Sequence, residues 1–258
     1  MTAGHPRQDI LSFLQDEPCH GRECLCRSDD GSLSPSPLHF VEVSDDPYHQ
    51  QVAGNDWLRV YVALLPPEET TWIHRHTRDT LYVCLRSAEL LNENFATTHD
   101  MRTAAQQHLH HAQAGETFYR LHASEGTVLV HRVRQVGVSL GAAASGPAAF
   151  IGVEFLAWPP ARLQVDDAQV AAASLALLPE YDSVRARIWR TTSACASLRL
   201  PFPGVALDVG ELPPALWQER DVNRLRDTLA ARVHLFTPRN RLPSLDAQAL
   251  VVECSHRR

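Results

Sequence analysis

The sequence predicts an all-β protein built from two copies of a small antiparallel barrel. Many short segments alternate apolar and polar residues, turn residues bound them at close spacing, and the second half of the chain repeats the first in weaker form. The 258 residues suffice for two modest domains.

The alternation is clearest in WLRVYVALL. Leu58, Val60, Val62 and Leu64 fall on one face, Arg59 and Tyr61 on the other, as in a half-buried strand. PPEE makes a turn, and TTWIHRH, TLYVCL and ELLNENF supply three further strands. GETFYRL, TVLVHRVRQV and FIGVEFL follow, each bounded by Gly, Pro or Ser. Residues 99–113 break the rhythm and read as an inserted helix or a long loop, with the run HLHH (His108 to His111) as a solvated loop.

Residues 1–36 read as a partly disordered extension, with one short helix (Asp9 to Leu14) and then a linker, SDDGSLSPSP. Ordered β structure is expected to begin near Leu38. Residues 37–160 form the first barrel and 161–258 a degenerate second one, joined near Trp158, Pro159 and Pro160. Val184-Arg185-Ala186 matches Leu58-Arg59-Val60. His74 falls on Leu200, His76 on Phe202, Asp79 on Gly204 and His131 on His234. Both halves close on an apolar strand ending in an acid, FIGVEFL and ALVVECS. Order and spacing agree across several blocks, which points to duplication. ALWQERDVNRLRDTLAARV is helical in its middle and reads as an insertion.

The formal charge of −6 gives no electrostatic case for a nucleic-acid partner. No apolar run approaches the roughly 20 residues of a spanning helix, and the first residues lack the pattern of a leader. A cytoplasmic protein acting on a small molecule, able to form a homodimer, is the expectation. Cys84, Cys195 and Cys254 read as reduced core thiols. Cys19, Cys24 and Cys26, with His20, match no standard zinc-finger spacing and read as a non-functional segment.

Four residues carry the chemistry. His74 and His76 lie two apart on a strand, so both point to one face, which Trp72 shares. Asp79 follows just beyond the strand end. His131 lies on a distant strand that barrel closure brings alongside. Three neutral imidazoles and a carboxylate suit a divalent transition metal, with open positions for substrate. Arg132 and Arg134 should point outward. Tyr82, Tyr119 and His122 are candidates for proton transfer.

PPEETTWIHRHTRDTLYVCL and GTVLVHRVRQVG resemble the two motifs of the cupin superfamily, over residues 57–156, with a fainter echo over 182–254. The resemblance implies a jelly-roll barrel holding one divalent transition metal (iron, manganese, zinc, nickel or copper). Its ligands would be His74, His76, Asp79 in place of the family's Glu, and His131. Glu68 stands where the first motif has glycine, Arg86 where it closes on glycine, and Gln135 where the second has asparagine. The implied activity is that of a metal-dependent enzyme on a small organic molecule, with an iron oxygenase as first reading. The alternative is a non-catalytic module that binds a small ligand or serves assembly.

Overall fold

The computed structural model describes residues 23–27, 33–37, 40–95, 106–122, 128–137, 146–157, 175–178, 187–191, 203–209, 212–219, 221–236, 245 and 249–254. Strands β1 (Glu23–Arg27) and β2 (Leu33–Pro37) form an antiparallel hairpin. β structure therefore starts before Leu38, within the stretch read as an extension and linker. The segments expected to hold the Asp9–Leu14 helix and the Trp158–Pro160 junction lie outside the described residues.

The next strands are β3 (Val41–Glu42), β4 (His49–Gly54), β5 (Leu58–Leu65), β6 (His74–His76), β7 (Thr80–Arg86) and β8 (Ala88–Phe95). They continue with β9 (Gln106–Ala112), β10 (Thr117–Arg120), β11 (Leu129–Gly137) and β12 (Ala148–Phe155). Two five-stranded sheets result, ordered β10-β7-β12-β5-β4 and β3-β6-β11-β8-β9. From β5 to β8, and again from β10 to β12, the chain changes sheet at every step. That alternation, with antiparallel pairing throughout β5–β12, is the jelly roll.

Turn chemistry carries two of the departures from the motif pattern. Glu68 has φ of 65°, the left-handed region, so it adopts the conformation for which a glycine would be suited. Its amide donates to the Gln135 carbonyl at 3.1 Å. The buried Gln135 amide spans the entry to β12, donating to the Gly146 carbonyl (3.1 Å) and accepting from the Ala148 amide (2.7 Å). At the end of β7, Arg86 donates to the Pro147 carbonyl and lies 5.6 Å over the Trp217 ring.

Leu58, Val60, Val62 and Leu64 share a face, as the alternation predicts, and all are buried. They join Leu81, Val83, Ile151 and Val153 in a cluster that continues into Ile188, Val205, Leu207 and Val252 of a third sheet. This middle sheet is thus covered on both sides, and every residue of β12 is buried. Its other face, carrying Tyr61, Tyr82, Phe150 and Glu154, looks inward toward the β11 sheet by strand alternation.

The third sheet contains β13 (Leu175–Leu177), β14 (Arg187–Thr191), β15 (Gly204–Leu207), β16 (Val233–Phe236) and β17 (Leu250–Glu253), ordered β13-β14-β17-β15-β16. Read along the chain, this is the order of β4-β5-β12-β7-β10. Where the first unit inserts β8 and β9 between β7 and β10, the later segment inserts a 3-10 turn (Pro214–Gln218) and helix α1 (Val222–Ala230). The helix is the one read in ALWQERDVNRLRDTLAARV. Asp221 caps it, accepting from the Asn223 and Arg224 amides, and Leu225 and Leu229 bury its apolar stripe in the shared core.

Strand order changes one correspondence. His234 lies on β16, whose place matches β10 rather than β11, so it is not the counterpart of His131. The matching stretch falls between β16 and β17, largely outside the described residues, as do Leu200 and Phe202. Among the described residues no helix is long and apolar enough to cross a membrane.

Candidate metal centre

β6 has only three residues, and alternation turns His74 and His76 inward while Arg75 faces out to Glu42. Antiparallel register sets His131 of β11 directly opposite His74. The rings of His74 and His131 have centroids 4.6 Å apart, and those of His76 and His131 5.0 Å apart. Both nitrogens of His131 are shielded from solvent and make no hydrogen bond.

A fourth imidazole, absent from the sequence expectations, comes from the facing sheet. His49 opens β4, with its ring centroid 4.7 Å from that of His74. Ligand atoms of His49, His74 and His76 all lie within 4.8 Å of one another. The only local signal is Asp46-Pro47-Tyr48-His49 ahead of an alternating segment, which by itself says nothing about the opposite sheet.

A buried carboxylate orients this set. Asp46 Oδ2 lies 2.5 Å from His49 Nδ1 and 3.6 Å from His74 Nδ1, and Oδ1 accepts from the Trp72 amide. His74 Nδ1 donates to the Trp72 carbonyl at 2.8 Å, which leaves its Nε2 as a lone pair directed at His76 Nε2, 3.1 Å away. Tyr82 Oη meets His76 Nδ1 at 3.2 Å. The hydroxyl can donate or accept, so His76 can present either Nε2–H to His74 or an Nε2 lone pair to an ion.

Burial keeps His74, His76 and His131 neutral. Desolvation, aided by His49, pushes His74 down to about 4 against the pull of Asp46. Desolvation and the neighbouring imidazoles hold His76 and His131 well below the ordinary histidine value. Desolvation also lowers His122. Burial opposes ionisation of Asp46, but its hydrogen bond to His49, its attraction to the His49 and His74 rings, and the Trp72 amide together hold it below the usual carboxylate value. Neutral imidazoles held by a second layer of hydrogen bonds fit a divalent transition metal.

Asp79 is buried, and its Oδ1 accepts from the His122 amide at 2.8 Å, pinning the segment after β10. His122 stacks near His76 with ring centroids 6.0 Å apart, and its Nε2 is buried without a hydrogen bond. Trp72 serves through its backbone and does not line the cavity. Tyr119 packs against Phe155 on the far side of the sheet. Arg132 pairs with Glu93, away from the site, as alternation predicts. On the inner face, Arg59 donates to Glu154 Oε2 at 2.5 Å, and burial nonetheless raises the Glu154 pKa.

The HLHH run is not a loop. It forms β9 beside β8, with His108 and His110 lining the cavity and His111 turned out to Glu89 at 3.4 Å. Strand pairing with β8 overrides the run's polarity. Cys84 and Cys254 are buried and free, and burial pushes Cys84 up to about 12. Cys24 and Cys26 fall on β1, while Cys19 and Cys195 lie outside the described residues.

Between the sheets lies a cavity of about 430 Å³. His49, His76, His122 and His131 border one part of it, and residues such as Leu65, Phe118 and Phe150 form an apolar wall.

No family profile and no curated protein matches the chain. Solved structures similar to it include a cupin domain from Bordetella pertussis Tohama I, 16% identical, covering 46% of this chain and 99% of that one with a TM-score of 0.32. An RmlC-like cupin family protein with a double-stranded β-helix fold from Methanocaldococcus jannaschii is 8% identical and covers 42% and 77%, TM-score 0.28. KdgF from Halomonas sp. is 10% identical and covers 44% and 84%, TM-score 0.26. By its own strand order, the unit from β3 to β12 is a cupin-type jelly roll.

Proposed function

We propose that the protein binds one divalent transition metal between the two sheets and uses it on a small organic molecule held in the cavity. The observation that carries this reading is the convergence of His49, His74 and His76 within 4.8 Å, on two different sheets, with His74 and His76 held neutral by burial. His131 completes the set from β11, and Asp46 and Tyr82 orient it. In this reading Asp79, in the place of the family's Glu, acts by fixing the His122 segment. A bound metal would supply Lewis-acid polarisation or oxygen activation. The chain's own residues would shield the site from water and supply hydroxyl and imidazole groups next to the reacting molecule. Iron-dependent oxygenation is the first chemistry to test, since imidazole suits iron as well as zinc, copper and nickel.

Strand order supports internal duplication, with residues 37–160 as the metal-binding unit and 161–258 as a degenerate copy covering its outer sheet. The test is elemental analysis of protein purified from metal-replete medium, paired with oxygen uptake by the iron-loaded form. Stoichiometric metal that is lost in His74→Ala supports the reading. Metal-free protein that takes up no added metal sinks it. Bound metal without turnover leaves the non-catalytic module.

A further inference from the structure

The cavity has a second polar feature, distinct from the imidazole cluster. Arg120 closes β10 at the cavity wall and is exposed. Its guanidinium lies 5.2 Å over the ring of Phe118, which stacks in turn on Tyr82 with centroids 5.0 Å apart. Three other arginines of this unit are paired with carboxylates, Arg59 with Glu154, Arg75 with Glu42 and Arg132 with Glu93. Among the described residues Arg120 has no such partner, although the chain carries 30 acids against 24 Lys and Arg. Arg120 lines the same cavity as Tyr82 and as His122, two residues further along the chain.

We infer that the cavity takes an organic monocarboxylate with an apolar body, its carboxylate paired with Arg120 at the rim and its body lying along Phe118 and Phe150. A guanidinium held over an aromatic ring is preorganised for a two-point pair with a carboxylate. Leu65, Phe118 and Phe150 give the body an apolar wall to lie along, and the volume suits a drug-sized or smaller ligand. The assignment rests on the reading of this cavity as the substrate site, but the anchor itself needs no metal. Neutral imidazoles would leave the charge of a divalent ion uncompensated, which favours an anionic ligand in the same space.

Calorimetric titration of the full-length protein with benzoate and cinnamate, and with the neutral amides of both, tests this in metal-loaded and metal-stripped protein. The carboxylates are expected to bind in both states, with the amides at least about tenfold weaker, because a charge-assisted pair is lost. Arg120→Gln should weaken the carboxylates by a similar factor, Arg120→Lys should restore part of it, and Arg132→Gln should change nothing. Thermal melting confirms that each variant is folded. Equal binding of acids and amides, no binding of either, or carboxylate binding that ignores Arg120→Gln and vanishes on metal removal would each overturn the inference. The last result would leave the metal reading intact. Arg120-dependent binding in a protein that takes up no metal would sink the metal reading and leave this one standing.

Discussion

His49 and His74 stand with ring centroids 4.7 Å apart, one on β4 and one on β6, and Asp46 Oδ2 faces the Nδ1 of both. The two strands belong to opposite sheets, so the metal centre depends on the sheets being held in register. His49→Ala should therefore lower metal affinity as severely as His76→Ala. Asp79→Ala should leave stoichiometry unchanged, because its carboxylate accepts from the His122 amide instead. Competition against a chelator of known affinity reads out the ranking. Metal loss in Asp79→Ala with retention in His49→Ala would reverse the ligand assignment.

The orienting groups should matter less than the ligands, but measurably. Asp46→Asn keeps the size of the side chain and removes the charge behind His49 and His74. Tyr82→Phe removes the group that meets His76 Nδ1 at 3.2 Å. Loss of a partner behind a ligating histidine typically weakens metal binding about 10–100-fold. Each variant should fall in that range while remaining folded by circular dichroism. Unchanged affinity in both would show that the imidazoles are positioned by packing alone.

The local half of this architecture was legible in the sequence. Alternation placed Leu58 to Leu64 on one face, and the spacing of His74 and His76 put both rings inside. The turn at Glu68 was legible too, since the position where the motif has glycine does adopt a left-handed backbone. Long-range pairing was not. His49 is set among the other imidazoles by the facing of two sheets, which no spacing near it encodes. His108 and His110 look like solvated residues until β8 pairs with them and turns them toward the cavity. His234 was matched to His131 by local similarity, whereas strand order gives it a different place. Asp79 follows the histidines closely enough to suggest a ligand, but nothing in its spacing foretells that its Oδ1 accepts from the distant His122 amide.

Acid should destabilise the metal-stripped protein. His74 has a folded value of about 4 against 6.5 in a free chain, so the unfolded state takes up a proton first as pH falls. Its stabilising contribution is complete above about pH 6.5 and disappears as pH drops toward about 4, a loss on the order of 3 kcal/mol. His76, His122 and His131 are lowered as well and act in the same direction. Glu154, raised by burial, acts oppositely, losing stability as pH rises above the free carboxyl value. Urea midpoints measured between about pH 4 and 8 should fall on the acid side. A flat profile would mean that the imidazoles are hydrated or already charged in the folded protein.

Gly152 tests how tightly the inner face is packed against the centre. It lies mid-strand in β12, where β5 brings Tyr61 across from it. A Cβ built there would fall well inside van der Waals contact with the ring and hydroxyl of Tyr61. Tyr61 is buried and sits edge-on to His49, with centroids 5.2 Å apart. Gly152→Ala must therefore move either the β12 backbone or the Tyr61 ring, at a cost of about 1–3 kcal/mol for an overpacked interior. If the ring moves, it presses on His49, and metal affinity should drop together with the melting temperature. The double variant Gly152→Ala with Tyr61→Leu relieves the clash and should recover stability. Recovery of affinity in that double variant would show that the strain reaches the centre through Tyr61 and His49, whereas recovered stability with affinity still depressed would place the Tyr61 ring itself among the groups that hold His49 in position.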